Sequence, residues 1–190
     1  MIKRSEVLKG IVENCKPEFC LISQLGRTSR DLFAISHGLR SQCFHMLGSM
    51  GSVIPFALGV SMSKSSIFAI AIEGDGSLLM NLGTLATVKK YALNNLVIVI
   101  LNNNQYESTG GQRSQQQDNF DLVDVCRSFR IDTRKVQSLE ILHDFFEREI
   151  RSLQGPVVLV VETLPEQPAP RISDKPTTIS SRFSQWLLNN

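Results

Sequence analysis

Asp75, Asn102 and Asn103 are the residues whose types and spacing could do chemistry together. Asp75 lies in Gly74-Asp75-Gly76-Ser77, and 25 residues, 77 to 101, separate Gly76 from Asn102. A carboxylate offers a hard anionic oxygen and an Asn side chain a neutral one. The loop Asn103-Asn104-Gln105 can add a main-chain carbonyl. Three protein oxygens leave a six-coordinate Mg²⁺ room for water and phosphate oxygens. Gly74 and Gly76 let the backbone turn tightly and approach a ligand closely. Ser77 stands at the start of a predicted helix, where free N–H groups and the helix dipole favour phosphate. These residues point to a Mg²⁺–diphosphate site. Taken singly, Asp-Gly is a common turn and Asn-Asn an ordinary polar loop.

The elements around them decide between those readings. Ile67 to Ile72 is an apolar run rich in β-branched residues, which predicts a buried strand ending just before Gly74. Leu78, Leu79, Leu82, Leu85, Ala86 and Tyr91 recur at helical spacing, with Lys89 and Lys90 near the end. That pattern predicts one helix with cations in its last turn. Leu96 to Leu101 predicts a second buried strand running straight into Asn102 and Asn103. A right-handed strand–helix–strand unit puts both carboxyl ends on one edge of a parallel sheet. Ligands of open α/β sheets bind outside that edge.

Gly-Asp-Gly followed at this spacing by Asn-Asn resembles the signature of the thiamine-diphosphate enzymes. In that family the Asp, the second Asn and a carbonyl two residues later hold the metal. Carried over, these are Asp75, Asn103 and the carbonyl of Gln105. A second stretch supports the resemblance. A predicted strand, Gln42 to Leu47, leads into Gly48-Ser49-Met50-Gly51 and then a helix over Val53 to Met62, with Pro55 tolerable in its first turn. Met50 stands between Ser49 and Gly51, so this is not a nucleophile elbow. One reading is a Gly-rich turn with Met50 as core filler. The other is the family's cofactor loop, in which Met50 would wedge under the bent cofactor. The Gly48 carbonyl and the Met50 N–H would then hold its aminopyrimidine edge. The resemblance implies thiamine diphosphate and Mg²⁺ as cofactors, with Gly48, Ser49, Met50, Gly74, Asp75, Gly76, Ser77, Asn103 and Gln105 around them. It also implies an α/β fold of three layers, a doubly wound and mostly parallel sheet with helices on both faces.

Composition sets the bounds. The chain has 190 residues, 42% hydrophobic and 20% charged, which suits one globular domain with a sizeable core. A net charge of +2 without a long basic run favours neither nucleic acid nor an acidic membrane as partner. The apolar runs fall far short of the roughly 20 residues that span a bilayer. Met1 to Glu6 is charged and unlike a secretory signal. Cys15, Cys20, Cys43 and Cys126 lack C-x-x-C spacing, which reads as reduced thiols in a cytoplasmic protein. His37, His45 and His143 lack ligand spacing, so zinc is not expected.

Elsewhere the pattern predicts a first helix over Ser5 to Glu13 and a short strand over Phe19 to Ile22. A helix over Arg30 to Ile35 follows, with Thr28 or Ser29 as its cap. Gly26, Thr28 and Ser29 lie at this strand–loop–helix junction, as phosphate contacts or as a plain cap. Asn104 to Gln112 is a polar, glycine-bearing loop long enough for a lid. It resembles the corresponding loop of the phosphonopyruvate and sulfopyruvate decarboxylases. Arg27 and Arg113 are candidates for an anionic substrate tail, or else solvated surface arginines. Gln115-Gln116-Gln117 supports no assignment. Further on, a helix is predicted over Phe120 to Phe129, a strand over Arg134 to Val136 and a long amphipathic helix over Leu139 to Leu153, broken by Gly155-Pro156. Val157 to Val161 is a final buried strand. Residues 1–164 are thus the cofactor domain. Residues 165–190 form a tail, extended through Pro165, Pro168, Pro170 and Pro176, with a short docking helix over Arg182 to Leu188. Arg171, Pro176, Thr177 and Thr178 resemble the tail of phosphonopyruvate decarboxylases.

In the family, a glutamate of a separate pyrimidine-binding domain activates the cofactor. Glu73 and Glu107 do not match it, and the resemblance covers nearly all of this chain. The expectation is a half-enzyme whose pyrimidine-binding half is a separate partner chain. It would act as a 2-keto acid decarboxylase on 3-phosphonopyruvate or 3-sulfopyruvate. The alternatives are an acetolactate-synthase-like carboligase half and a non-catalytic assembly subunit that keeps the fold. A dinucleotide fold is a weak reading, because Leu79 stands where a third glycine is needed, and no Walker motif occurs.

Overall fold

The computed structural model describes residues 1–114 and 120–190, so Gln115–Gln117 lies outside them. The chain opens with β1 (Ile2–Lys3), α1 (Arg4–Glu13), β2 (Phe19–Ser23), α2 (Arg27–Ile35) and β3 (Cys43–His45). It continues with α3 (Val53–Ser63), β4 (Phe68–Gly74), α4 (Asp75–Met80), α5 (Thr84–Tyr91) and β5 (Leu96–Asn102). A small antiparallel hairpin of β6 (Gln105–Tyr106) and β7 (Gln112–Arg113) follows. Then come α6 (Leu122–Ser128), β8 (Asp132–Val136), α7 (Leu139–Asp144), β9 (Val157–Leu164) and α8 (Pro176–Asn189).

Seven strands form one sheet in the order β3-β2-β4-β5-β9, with β8 and then β1 paired along the outer side of β9. Every pairing in it is parallel. Side chains alternate between its two faces, as a pleated strand requires. Ala69, Ala71, Ile98 and Ile100 go to one side, packed with residues of α3, α4, α5, α6 and α8. Ile70, Ile72, Val97 and Val99 go to the other, packed with α1, α2 and α7. Both faces are thus covered, which is why β4 and β5 read as unbroken apolar runs. The fold is the expected three-layer α/β arrangement.

Four local expectations need correction. The predicted helix through Leu78 to Tyr91 is two helices, interrupted at residues 81–83. Asn81 leaves helical geometry (φ −140°, ψ 47°), and its side-chain amide donates to the Gly51 carbonyl at 2.9 Å. The predicted helix over Leu139 to Leu153 is α-helical only to Asp144, then widens into a π turn over Phe145–Glu149 and tightens into a 3₁₀ turn. Phe145 and Phe146 are both 1% exposed. Adjacent positions of a regular helix point about 100° apart, and the wider turn lets both rings reach the core. Helix α2 begins at Arg27 with Gly26 before it, so neither Thr28 nor Ser29 is its cap. Helix α8 is longer than predicted, with Pro176 at its first position. No helix among the described residues is long and apolar enough to cross a membrane.

Candidate functional site

Because the strands are parallel, their carboxyl ends share one edge. There the chain passes from β2 out to β3 and returns to β4 on the other side of β2. That reversal opens a crevice between the ends of β2 and β4, where such sheets bind ligands. The walls are close. A Cβ added to Gly74 would stand 2.5 Å from Nε2 of Gln24, and one on Gly76 would collide with the ring of Tyr106. The crevice holds a cavity of about 120 Å³, into which the loops after β2, β3, β4 and β5 all reach.

Asp75 is the first residue of α4, immediately past β4, and is 3% exposed. Burial pushes its carboxyl above the usual carboxylate range. The Ser114 hydroxyl and the main-chain N–H groups of Gly76, Asp75 and Asn103 oppose that shift. The Ser114 hydroxyl faces this carboxyl but is too poorly placed for a full hydrogen bond, so its Oγ and the Asp75 Oδ2 are both buried without a partner of good geometry. A buried carboxylate oxygen with no donor is costly unless a cation meets it. Asn103 also lines the cavity, and its Oδ1 accepts from the Gln105 N–H at 3.1 Å. An amide oxygen has two lone pairs, so one remains for a further partner. Gln105 lines the same cavity at the start of β6. These three residues offer hard oxygens of the kind Mg²⁺ takes, and the unpartnered Oδ2 fits a bound cation.

The loop after β3 is tied to α4. The Gly51 N–H donates to Ser77 Oγ at 2.8 Å, and the Gly51 carbonyl accepts from Asn81. Ser77 therefore also braces this loop, a role its place near a helix start did not suggest. Gly51 has φ +78°, and a Cβ there would lie 2.7 Å from that of Asn81, so only glycine fits. Met50 is not core filler: it is 37% exposed and lines the cavity. Gly48 and Ser49 stand next to it in the loop, but they are exposed and not among the lining residues.

On the opposite wall, Thr28 lines the cavity, whereas the Ser29 hydroxyl donates back to the carbonyl of Gly26, just before α2. Gly26 has φ +82°, and a Cβ there would meet Ser108 Oγ at 2.5 Å. Arg27 lines the cavity, while Arg113, exposed in β7, does not. Arg4 is the residue that sequence reasoning missed. It is 3% exposed, its Nε donates to Asp31 Oδ2 at 2.8 Å, and its Nη1 pairs with Glu107. It thereby joins α1, α2 and the loop after β5. A single Arg at the start of a helix carries no local signal of this.

Residues 23–161 match the family model of the thiamine pyrophosphate enzymes, C-terminal TPP binding domain. The chain is 32% identical over 186 residues to the sulfopyruvate decarboxylase subunit beta of Methanocaldococcus jannaschii, covering 97% of each chain. It is 40% identical over 111 residues to the phosphonopyruvate decarboxylase of Streptomyces hygroscopicus, covering 58% of this chain and 27% of that one. Its fold is similar to a putative thiamin diphosphate-dependent enzyme from Mycobacterium smegmatis, with a TM-score of 0.73 and 23% identity over 87% of this chain and 32% of that one.

Proposed function

Because the chain belongs to the thiamine pyrophosphate enzymes, as their C-terminal cofactor-binding domain, we propose that it is the cofactor-binding subunit of a decarboxylase. The substrate is 3-sulfopyruvate or 3-phosphonopyruvate, and the pyrimidine-binding half is a separate chain. The observation that carries this is the buried Asp75 oxygen without a partner, at the end of β4 and beside Asn103, in a cleft that Met50 also lines. The relative covered over 97% of its length is itself named a subunit.

Asp75, Asn103 and the Gln105 carbonyl would hold Mg²⁺. Gly74, Gly76 and the first turn of α4 would receive the diphosphate, where backbone can approach closely and the positive end of the helix dipole favours an anion. Met50, with Gly48 and Ser49 before it, would support the remainder of the cofactor. Thiamine diphosphate, when bound, supplies the decarboxylation chemistry itself, and the protein supplies binding, orientation and electrostatics. This chain's part is to fix the cation and to exclude water through the loop that carries Tyr106 and Glu107.

Asp75→Ala tests the reading. It should abolish Mg²⁺-dependent binding of thiamine diphosphate in calorimetry while leaving the circular dichroism spectrum unchanged. Unaltered cofactor affinity would reject the cation assignment.

A further inference from the structure

Resting on the decarboxylase reading above, we infer that Arg27 is the specificity-determining residue for the substrate's distal acid, a sulfonate or a phosphonate. Arg27 and Arg113 are equal candidates on sequence, and the fold separates them. Arg113 is exposed on β7, paired with Gln105, and is not among the residues that line the cavity. Arg27, in the first turn of α2, lines the cavity that Asp75, Asn103 and Met50 also line.

The two cleft arginines are used differently. Arg4 is buried and engaged at three of its nitrogens, by Asp31, by Glu107 and by the Glu166 carbonyl at 3.2 Å. Its role is to hold the wall together. Arg27 is 26% exposed at its side chain. Among the described residues its guanidinium makes one hydrogen bond, from Nη1 to the Glu166 carbonyl at 2.9 Å. Glu107 Oε1 lies 3.6 Å from that nitrogen, an ion pair without a hydrogen bond. Glu107 is itself held by Arg4 and by the Glu166 N–H at 3.0 Å. Arg27 is thus aimed by its neighbours without being saturated. A guanidinium carries five donors, and the remaining ones suit the paired oxygens of a sulfonate or phosphonate.

The test is steady-state decarboxylation by the complex with the partner subunit, Mg²⁺ and thiamine diphosphate, run with 3-sulfopyruvate and with 3-phosphonopyruvate. Arg27→Gln should raise KM for the accepted acid about ten- to a hundredfold, the range of a lost charge-assisted hydrogen bond, with a smaller change in kcat. Arg27→Lys should recover part of the loss, since it keeps the charge without the fork. Arg113→Ala should stay within about twofold, as expected of an exposed surface site. Cofactor affinity by calorimetry should not change in Arg27→Gln. A fall in that affinity would overturn the inference and assign Arg27 to the diphosphate. A KM rise in Arg113→Ala in place of Arg27→Gln would overturn it too. A wild-type complex that turns over neither acid would sink the decarboxylase reading, and this inference with it. Turnover of one acid with unchanged KM in both Arg27 variants would sink this inference alone.

Discussion

Two carboxylates two residues apart, Glu73 and Asp75, meet burial in different ways. Asp75 leaves the strand at its tip and lines the cleft, so a cation can reach its unpartnered oxygen. Glu73 is 0% exposed within β4, where only the Gly74 N–H at 3.1 Å and the Ser77 hydroxyl favour its charge. Burial outweighs them and pushes its carboxyl from 4.5 up to about 7. A raised acid pKa means that the folded state binds the proton more tightly than the unfolded one. Stability therefore falls as pH rises from about 4.5 to about 7, and levels off above. Glu73→Gln should remove that slope. In the metal-free chain it should be more stable than wild type at pH 8, by up to about 3 kcal/mol, and should converge with it near pH 4.5. Urea titrations at the two pH values would check this, and parallel curves would refute it.

At the scale of elements, the sheet's β3 edge is covered by α8. Phe183 is 2% exposed, 5.4 Å from the Phe44 ring and 6.1 Å from the Phe56 ring. The tail reaches it as an ordered strap. Glu166 meets Arg4 and Arg27 through its carbonyl, the Ala169 carbonyl accepts from Arg30 at 2.7 Å, and Asp174 pairs with Arg182 at 2.7 Å. Covering an edge strand and burying an aromatic should make α8 part of the folded core. Phe183→Ala should cost about 3–5 kcal/mol, the range for a deleted buried aromatic. Chemical denaturation would show it, and a loss under about 1 kcal/mol, the size of an ordinary surface change, would mean that the helix is dispensable.

For the whole molecule, the cleft is too small for a complete cofactor pocket. Its cavity is about 120 Å³, against roughly 300–1,000 Å³ for pockets that enclose ligands of this kind. The chain also spans only 32% of the structurally similar enzyme. A second chain forming the other wall would account for both. The purified chain, given Mg²⁺ and thiamine diphosphate, should show little decarboxylation of a 2-keto acid. Adding a pyrimidine-domain partner should restore it by more than about a hundredfold, since a catalytic acid or base of the kind the partner would bring contributes about 10²–10⁴-fold. Full turnover without a partner, measured by CO₂ release, would refute the divided site.

The amino-acid sequence by itself determined the parallel α/β core and the polar residues just past its strand tips. Both are local: apolar runs of strand length, and Asp75 and Asn103 at the ends of two of them. Helix ends and breaks were less legible. The break at Asn81 depends on a hydrogen bond to Gly51, thirty residues away, and the wide turn at Phe145–Phe146 depends on what the two rings pack against. Only the tertiary structure brought Arg4, Glu107 and Glu166 together, and only it put Arg27, and not Arg113, among the residues lining the cleft. Ion pairs between residues a hundred positions apart leave no periodicity to read. They exist because parallel crossovers deliver distant loops to one sheet edge, where burial makes unpaired charge costly.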